Sequence, residues 1–266
     1  KGETADSNDS KNDDTDGITN IFADCWSSPA LTAKATELSN IAKEHHENLA
    51  SNYECQVLEF TGYGKKFIKA AGCVCHDLVQ QALQLASYRM FGKQVGTYEA
   101  ALTRTFLHGR TETARPVSPQ SQAFVECMGL EPHDGHRQEK AALLKKAAAV
   151  HDEYQRVAAN GRGVDRHLFG LSGMVRDEDS QPSLFSNPLL LRSKTWKLST
   201  SSVIFLPGFG PSTVDGIAIG YRVEANSCTF TCTSRTDNNA VRPFCELLDE
   251  ALTEIGDLLR DKEESV

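Results

Sequence analysis

Residues 97–116, TYEAALTRTFLHGRTETARP, constrain what this chain can fold into more than any other stretch. Their first half alternates with period two. Tyr98, Ala100, Leu102, Arg104 and Phe106 fall on one face of an extended segment, and Glu99, Ala101, Thr103 and Thr105 on the other. Gly109 stops the run, and a polar segment carrying Arg110, Thr111, Glu112, Thr113 and Arg115 follows. A strand that buries an arginine on one face and a glutamate on the other must find a partner for each, because unpaired buried charge is expensive. A half-exposed edge strand with a solvated, charged tail fits the same pattern, so this stretch taken alone leaves both outcomes open.

The remaining bounds are those of a water-soluble globular chain. At 266 residues it can bury one good core or two small ones, and 39% apolar with 24% charged residues is ordinary for that class. The formal net charge of −8 argues against a nucleic-acid partner, which calls for a basic face. Half of that excess sits in residues 1–17, where six acids meet two lysines. No apolar run approaches the ~20 residues of a membrane-spanning helix. Lys1 in place of Met implies a processed or cut form. The eight cysteines (25, 55, 73, 75, 127, 228, 232 and 245) are scattered. Cys73-x-Cys75 and Cys228-x3-Cys232 brush against metal-ligand spacing but lack a second pair, so no metal is expected. Buried free thiols in a reducing interior are expected instead.

In chain order, residues 1–27 read as an acidic extension, disordered or held by a partner, and residues 28–266 as one domain. Ser28-Pro29 opens a helix running to about Asn52, with Leu31, Ala35, Leu38, Ala42, His45 and Leu49 on its packed face and His46 facing solvent. Residues 55–60 read as a short strand. Lys65 and Lys69 then lie at i, i+4, a spacing that lets two ammonium groups grip one phosphate, and equally that of a solvated charged face. Val79, Leu83, Ala86 and Met90 mark an amphipathic helix ending near Gly92. Residues 139–159 are expected to be helical, with Leu143, Ala147, Val150, Tyr154 and Val157 on one face and Gly161 at the end. Asp165-Arg166-His167 opens another short helix, where the arginine would bind an anion or simply bond neighbouring carbonyls. Residues 176–192 read as a loop, and 198–206 (LSTSSVIFL) as a strand whose hydroxyls point in fixed directions. Strands near 218–223 and 228–234 follow, then a closing helix capped by Asn239, with Phe244, Leu247, Leu248, Ala251, Ile255 and Leu258 inward. Residues 261–266 are expected to fray. The fold class is α/β (α+β), a mixed β-sheet flanked by amphipathic helices.

Five of these blocks stand in an order and spacing that resembles the choline/carnitine acyltransferase family: GKKFIK (64–69), TYEA…GRTET (97–113), VDRHLFGL (164–171), LSTS (198–201) and GFGPSTVDG (208–216). The resemblance covers roughly residues 29–260 and the C-terminal half of that family alone, which implies a coenzyme A-dependent acyltransferase-like lobe. It implies that Lys65 and Lys69 hold the coenzyme A 3′-phosphate and that Tyr98, Thr111, Arg166 and Ser199 sit at the carnitine end. Ser201 would supply a hydroxyl to the oxyanion, a fixed donor of the kind acyl transfer requires. Coenzyme A would be a substrate, with no covalently bound cofactor. The sequence departs from the family pattern at Val74-Cys75-His76 (family Ser-Pro-Asp), Ala100 (Ser), Ser202 (Gln) and Ile217-Ala218 (Tyr-Gly). The link from LSTS to GFGP is also about four residues shorter.

In that family a histidine from the N-terminal lobe is the general base, in a His-His-Asp-Gly loop. His45-His46 is followed by Glu47-Asn48 and does not match. Nothing in the sequence makes His76, His108, His151 or His167 the base, and losing one costs ~10²–10⁴ in rate. The expectation is therefore a catalytically incompetent, acyltransferase-like accessory subunit of a larger, mitochondrial, hetero-oligomeric assembly, with a protein partner covering the open face of the lobe. The alternative is the C-terminal subunit of a split carnitine O-acyltransferase whose partner supplies the catalytic histidine, or a parent chain that has been cut.

Overall fold

The computed structural model describes residues 28–133, 135–176, 182–202 and 208–260. The chain divides into two compact units, Lys1–Ser51 and Asn52–Val266. In the first, helix α1 (Pro29–Ala50) begins at the proline as expected. No residue of α1 is buried, and His45 is as exposed as His46, so the expected packed face is not realised. Leu31, Leu38, Ile41 and Leu49 are each more than half exposed.

The second unit is built on six strands: β1 (Tyr53–Phe60), β2 (Thr97–Leu102), β3 (Thr111–Ala114), β4 (Leu198–Ser202), β5 (Ile217–Val223) and β6 (Cys228–Arg235). They lie in the order β1-β6-β5-β4-β2-β3. The β4 pairings with β2 and β5 are parallel, and the remaining pairings are antiparallel. The helices of this unit are α2 (Lys65–Ala70), α3 (Cys75–Phe91), α4 (Pro119–Met128), α5 (Arg137–Val157), α6 (Asp165–Gly173), α7 (Pro188–Ser193) and α8 (Val241–Leu259). The main core joins α3, α4, α5 and α8 to one face of the sheet, through side chains such as Leu83, Phe124, Leu144, Ile219, Phe230 and Leu248. This is the mixed α/β architecture that the residue pattern implied.

Local differences have physical causes. The organising strand ends at Leu102 instead of running through Phe106. Its pairing with β3 closes there, at Leu102 against Thr111, and a turn held by Thr103 N–H to the Arg110 carbonyl (3.1 Å) reverses the chain. Arg104 and Phe106 are consequently exposed, and Glu99 alone needs a buried partner. Helix α8 is not capped by Asn239, which sits in the left-handed region (φ 46°) immediately before the N-cap residue Ala240. The cap comes from Glu54 on β1, whose Oε1 accepts from the N–H groups of Ala240 (3.0 Å) and Val241 (3.2 Å). Within residues 176–192, expected as loop, Pro188 opens α7, which runs to Ser193, with the Asn187 side chain accepting from Leu189 N–H. Helix α4, which no periodicity announced, starts at Ser118-Pro119 with the serine capping Ser121 N–H. Not all cysteines are buried thiols: Cys75, Cys228, Cys232 and Cys245 are, whereas Cys55 is exposed and Cys73 and Cys127 are half-buried. The expectations for residues 1–27, 203–206 and 261–266 lie outside the described residues.

Helix α3 is buried nearly all round instead of amphipathic, and its polar residues reach into the sheet. Gln80 Nε2 donates to Thr200 Oγ1 (2.9 Å), and Gln84 Nε2 to Thr97 Oγ1 (3.1 Å). On α5 the buried stripe is Lys140, Leu144, Ala147, Ala148 and His151, one position round from the predicted face. His151 is clamped by two carboxylates, with Nδ1 2.6 Å from Asp77 Oδ1 on α3 and Nε2 2.6 Å from Glu99 Oε2 on β2. Glu99 Oε1 also accepts from the hydroxyl of the fully buried Tyr221 at 2.9 Å. Burial alone would lower the imidazole pKa, but the hydrogen bonds to Asp77 and Glu99 outweigh it and lift the pKa to about 9. His151 is thus a buried imidazolium joining two helices to β2. One further close fit locks α2 to the β5–β6 hairpin. A Cβ on Gly64 would lie 2.4 Å from Ser227 N and 2.6 Å from Glu224 O, while Lys65 N–H donates to Glu224 O at 2.7 Å.

Replacing His151 with Gln leaves two buried carboxylates unneutralised, and chemical denaturation should show a loss of about 3–5 kcal/mol. In the wild-type protein the raised pKa means the stabilisation is complete below the unfolded value of 6.5 and drains as pH rises to about 9. Urea midpoints should fall across that window, and the fall should vanish in the variant. A Gly64→Ala substitution should cost about 1–3 kcal/mol, because the clash is with backbone that cannot swing aside.

Candidate functional site

Strand β2 shows two different faces. Glu99 and Thr97 face the helices, while Tyr98 faces away from them, half-buried. Register places Ser199 of β4 beside Tyr98, and Ser201 follows two residues along on the same face. Thr200, on the opposite face, donates to the Tyr98 carbonyl at 2.9 Å and holds that part of β2 from behind. The half-buried Thr111 opens β3, at the far end of β2.

Arg166 arrives from α6 and gathers these groups. Its Nε donates to the Thr111 carbonyl (3.0 Å), and its Nη2 to Thr111 Oγ1 (3.3 Å) and Tyr98 Oη (3.2 Å). The carbonyl-bonding alternative weighed for this arginine is therefore partly realised. Among the described residues its guanidinium meets neutral oxygens and no carboxylate, and the side chain is exposed. Its main chain is held separately. The buried Glu112 carboxylate accepts from Thr113 N–H (2.6 Å) and from Arg166 N–H (3.2 Å). Gly163 passes so close to Glu112 that a Cβ there would come within 2.3 Å of Cγ, so the entry to α6 has room for glycine alone. Arg166, His167, Thr111 and Glu112 line a cleft of about 880 Å³, completed by Phe106, His108, Arg110 and the turn around Gly161. With its Nη1 uncommitted among the described residues and two hydroxyls beside it, the Arg166 guanidinium is equipped to receive a carboxylate.

The lysine pair sits elsewhere. Lys65 and Lys69 are exposed on α2, docked at the β5–β6 hairpin, so the serine strand β4 lies between them and the β2–β3 edge. Burial raises the pKa of the neighbouring Cys75 thiol, and Lys65 and Lys69 pull it back down, so the charges of both lysines act on the start of α3. His76, standing where the family carries an acid, is exposed there, with its ring 5.8 Å from that of Tyr221. The structure therefore brings Tyr98, Thr111 and Arg166 into contact, puts Ser199 beside them by register, and leaves the lysines apart. His151, dismissed as a base, lies between two carboxylates. No sequence spacing announces that arrangement, although a glutamate on a strand that would bury it was a signal that a partner had to meet it.

Comparison with known proteins agrees with the residue blocks. The choline/carnitine O-acyltransferase family model matches residues 26–250. The mitochondrial carnitine O-acetyltransferase of Saccharomyces cerevisiae is 38% identical over 200 residues, covering 74% of this chain and 30% of the yeast protein. Carnitine O-acetyltransferase of Columba livia is 35% identical, covering 84% of this chain and 36% of its own length. Mouse choline O-acetyltransferase is 32% identical, with 83% and 35% covered. The chain thus spans about a third of the length of these relatives. Among solved structures, a probable dihydrolipoamide acetyltransferase from Listeria monocytogenes is similar at a TM-score of 0.40 and 9% identity, covering 90% of this chain and 95% of its own. That likeness is distant, and the sequence matches carry the assignment. With the matched segment enclosing every block from the lysine pair to the closing strands, the chain belongs to the choline/carnitine O-acyltransferase family.

Proposed function

We propose that this chain is the substrate-holding lobe of a carnitine acyltransferase, binding carnitine and coenzyme A while relying on residues outside it for the general base. The observation that supports this is the Arg166 guanidinium, held by Tyr98 and Thr111 and met by no carboxylate among the described residues. In this reading the carnitine carboxylate takes Arg166, Tyr98 and Thr111. Lys65 and Lys69 hold the coenzyme phosphate at the far side of the sheet. Ser201, on the strand between, donates to the oxyanion as the acyl group crosses. The base cannot be His151, whose two ring nitrogens are both engaged by buried carboxylates. Exposed apolar side chains beside the cleft, Leu107, Val164, Phe169 and Met174, suit a covering protein surface. Likeness to the mitochondrial carnitine O-acetyltransferase of yeast supports a mitochondrial setting.

A second reading, a non-catalytic accessory lobe, is favoured by two specific observations. The exposed His76 stands beside the lysine pair in place of the family's acid, and Ala100 stands in place of its serine.

Calorimetry with L-carnitine separates the two. The first reading expects measurable binding by the wild-type chain, weakened at least about tenfold by Arg166→Ala, in line with loss of a charge-assisted pair. No binding by the wild type would favour the accessory lobe. Acetyl-CoA and carnitine incubated with the isolated chain should give no turnover above background, and sustained turnover would contradict both readings. Coenzyme A affinity should drop in Lys65→Ala/Lys69→Ala while carnitine affinity holds.

A further inference from the structure

Arg115 lines no part of the Arg166 cleft, yet both sides of that cleft lead back to it. Its guanidinium grips Asp165 two-pronged, Nε to Oδ2 at 2.9 Å and Nη2 to Oδ1 at 2.6 Å, and Nη1 donates to the Ser193 carbonyl at 2.9 Å. Its Cζ lies over the Trp196 ring, 4.7 Å from the ring centre. Trp196 in turn meets the Tyr98 ring edge-on at 5.8 Å. Asp165 is the residue before Arg166, and Arg166 donates to Tyr98 Oη. The contacts close into a ring: Arg115, Asp165, Arg166, Tyr98, Trp196 and back to Arg115. Asp165 is buried and Arg115 largely so, which gives their pairing more weight than an exposed ion pair.

We propose that Arg115 is a positioning residue, fixing Arg166 through Asp165 and Tyr98 through Trp196 so that both present to one substrate carboxylate. The proposal rests on the carboxylate reading above. Two features of arginine are needed together. The planar fork occupies both oxygens of Asp165, so the carboxylate next to Arg166 in sequence is already engaged. The same guanidinium lies over the indole that backs Tyr98, and a lysine ammonium, a point charge without the fork, cannot meet both demands at once. One side chain thereby sets the helix start and the strand side chain on opposite walls of the carboxylate site.

The test uses the guanidinium Nε–H resonances of Arg166 and Arg89 in one ¹⁵N spectrum of the full chain, with carnitine affinity measured alongside. Arg89 Nε donates to the Gly129 carbonyl at 3.3 Å, outside the ring, and serves as the internal control. In Arg115→Lys, exchange of the Arg166 Nε–H with water should quicken about tenfold and carnitine binding should weaken by a similar factor, with Arg89 unmoved. Should Arg115→Lys fail to fold, Asp165→Asn, which keeps the shape and removes the charge, is read the same way. Unchanged exchange at Arg166 overturns the proposal. So does a parallel change at Arg89, which would mean general loosening. A wild-type chain that takes no carnitine sinks the carboxylate reading, while exchange at Arg166 still decides whether the ring positions it.

Discussion

The imidazolium of His151, held between Asp77 and Glu99, fixes which way strand β2 faces, and the candidate site inherits that choice. Side chains alternate along a strand, so a slip of one residue would turn Glu99 outward and press Tyr98 into the helix layer. Apolar patterning alone guards weakly against that slip here, because Ala100 and Ala101 are alike in size and character. A buried carboxylate that must meet a buried cation guards against it strongly. Tyr221 donating to the second Glu99 oxygen, and Gln84 donating to Thr97, bring the same strand into register from two more directions.

With β2 held in this way, the sheet order sets out a line of chemical tasks. The β2–β3 edge carries Tyr98 and Thr111 with the Arg166 guanidinium bonded to them, β4 carries Ser199 and Ser201, and Lys65 and Lys69 lie on α2 at the β5–β6 hairpin. In the function proposed above, a carboxylate-bearing acceptor at one end and a phosphate-bearing carrier at the other would meet in the middle, on β4. The polar groups along this line are each held by a neighbour: Glu112 for the Arg166 main chain, Thr200 for Tyr98, and Glu224 for the start of α2. Such preorganisation lets fixed donors contribute to binding without reorganising when a ligand arrives.

How much of this was legible in the sequence depends on the kind of interaction. The α/β class, β1, β5 and β6 and the helix starting at Pro29 followed from periodicity and Ser-Pro punctuation. The same punctuation at Ser118-Pro119 and Asn187-Pro188 marked α4 and α7 and went unread. The convergence of Tyr98, Thr111 and Arg166 was anticipated through the family resemblance, since no spacing rule joins residues so far apart in the chain. What escaped were tertiary pairings with no local signature: the Glu54 cap on α8, the glutamines of α3 reaching the sheet, and His151 finding two acids on different elements. An amphipathic pattern also misled on α1 and α3, one without a buried residue and the other buried nearly all round, because a stripe of apolar residues does not say what covers it.

The charge state of His151 tests this account most directly. Ring ¹⁵N shifts recorded on the folded chain at pH 7.5 should show both nitrogens protonated, with deprotonation delayed until pH approaches about 9. A neutral ring at pH 7.5, with one nitrogen bare and a midpoint near the ordinary histidine value, would mean that Asp77 and Glu99 do not clamp a cation, and β2 would have to be held in register by something else.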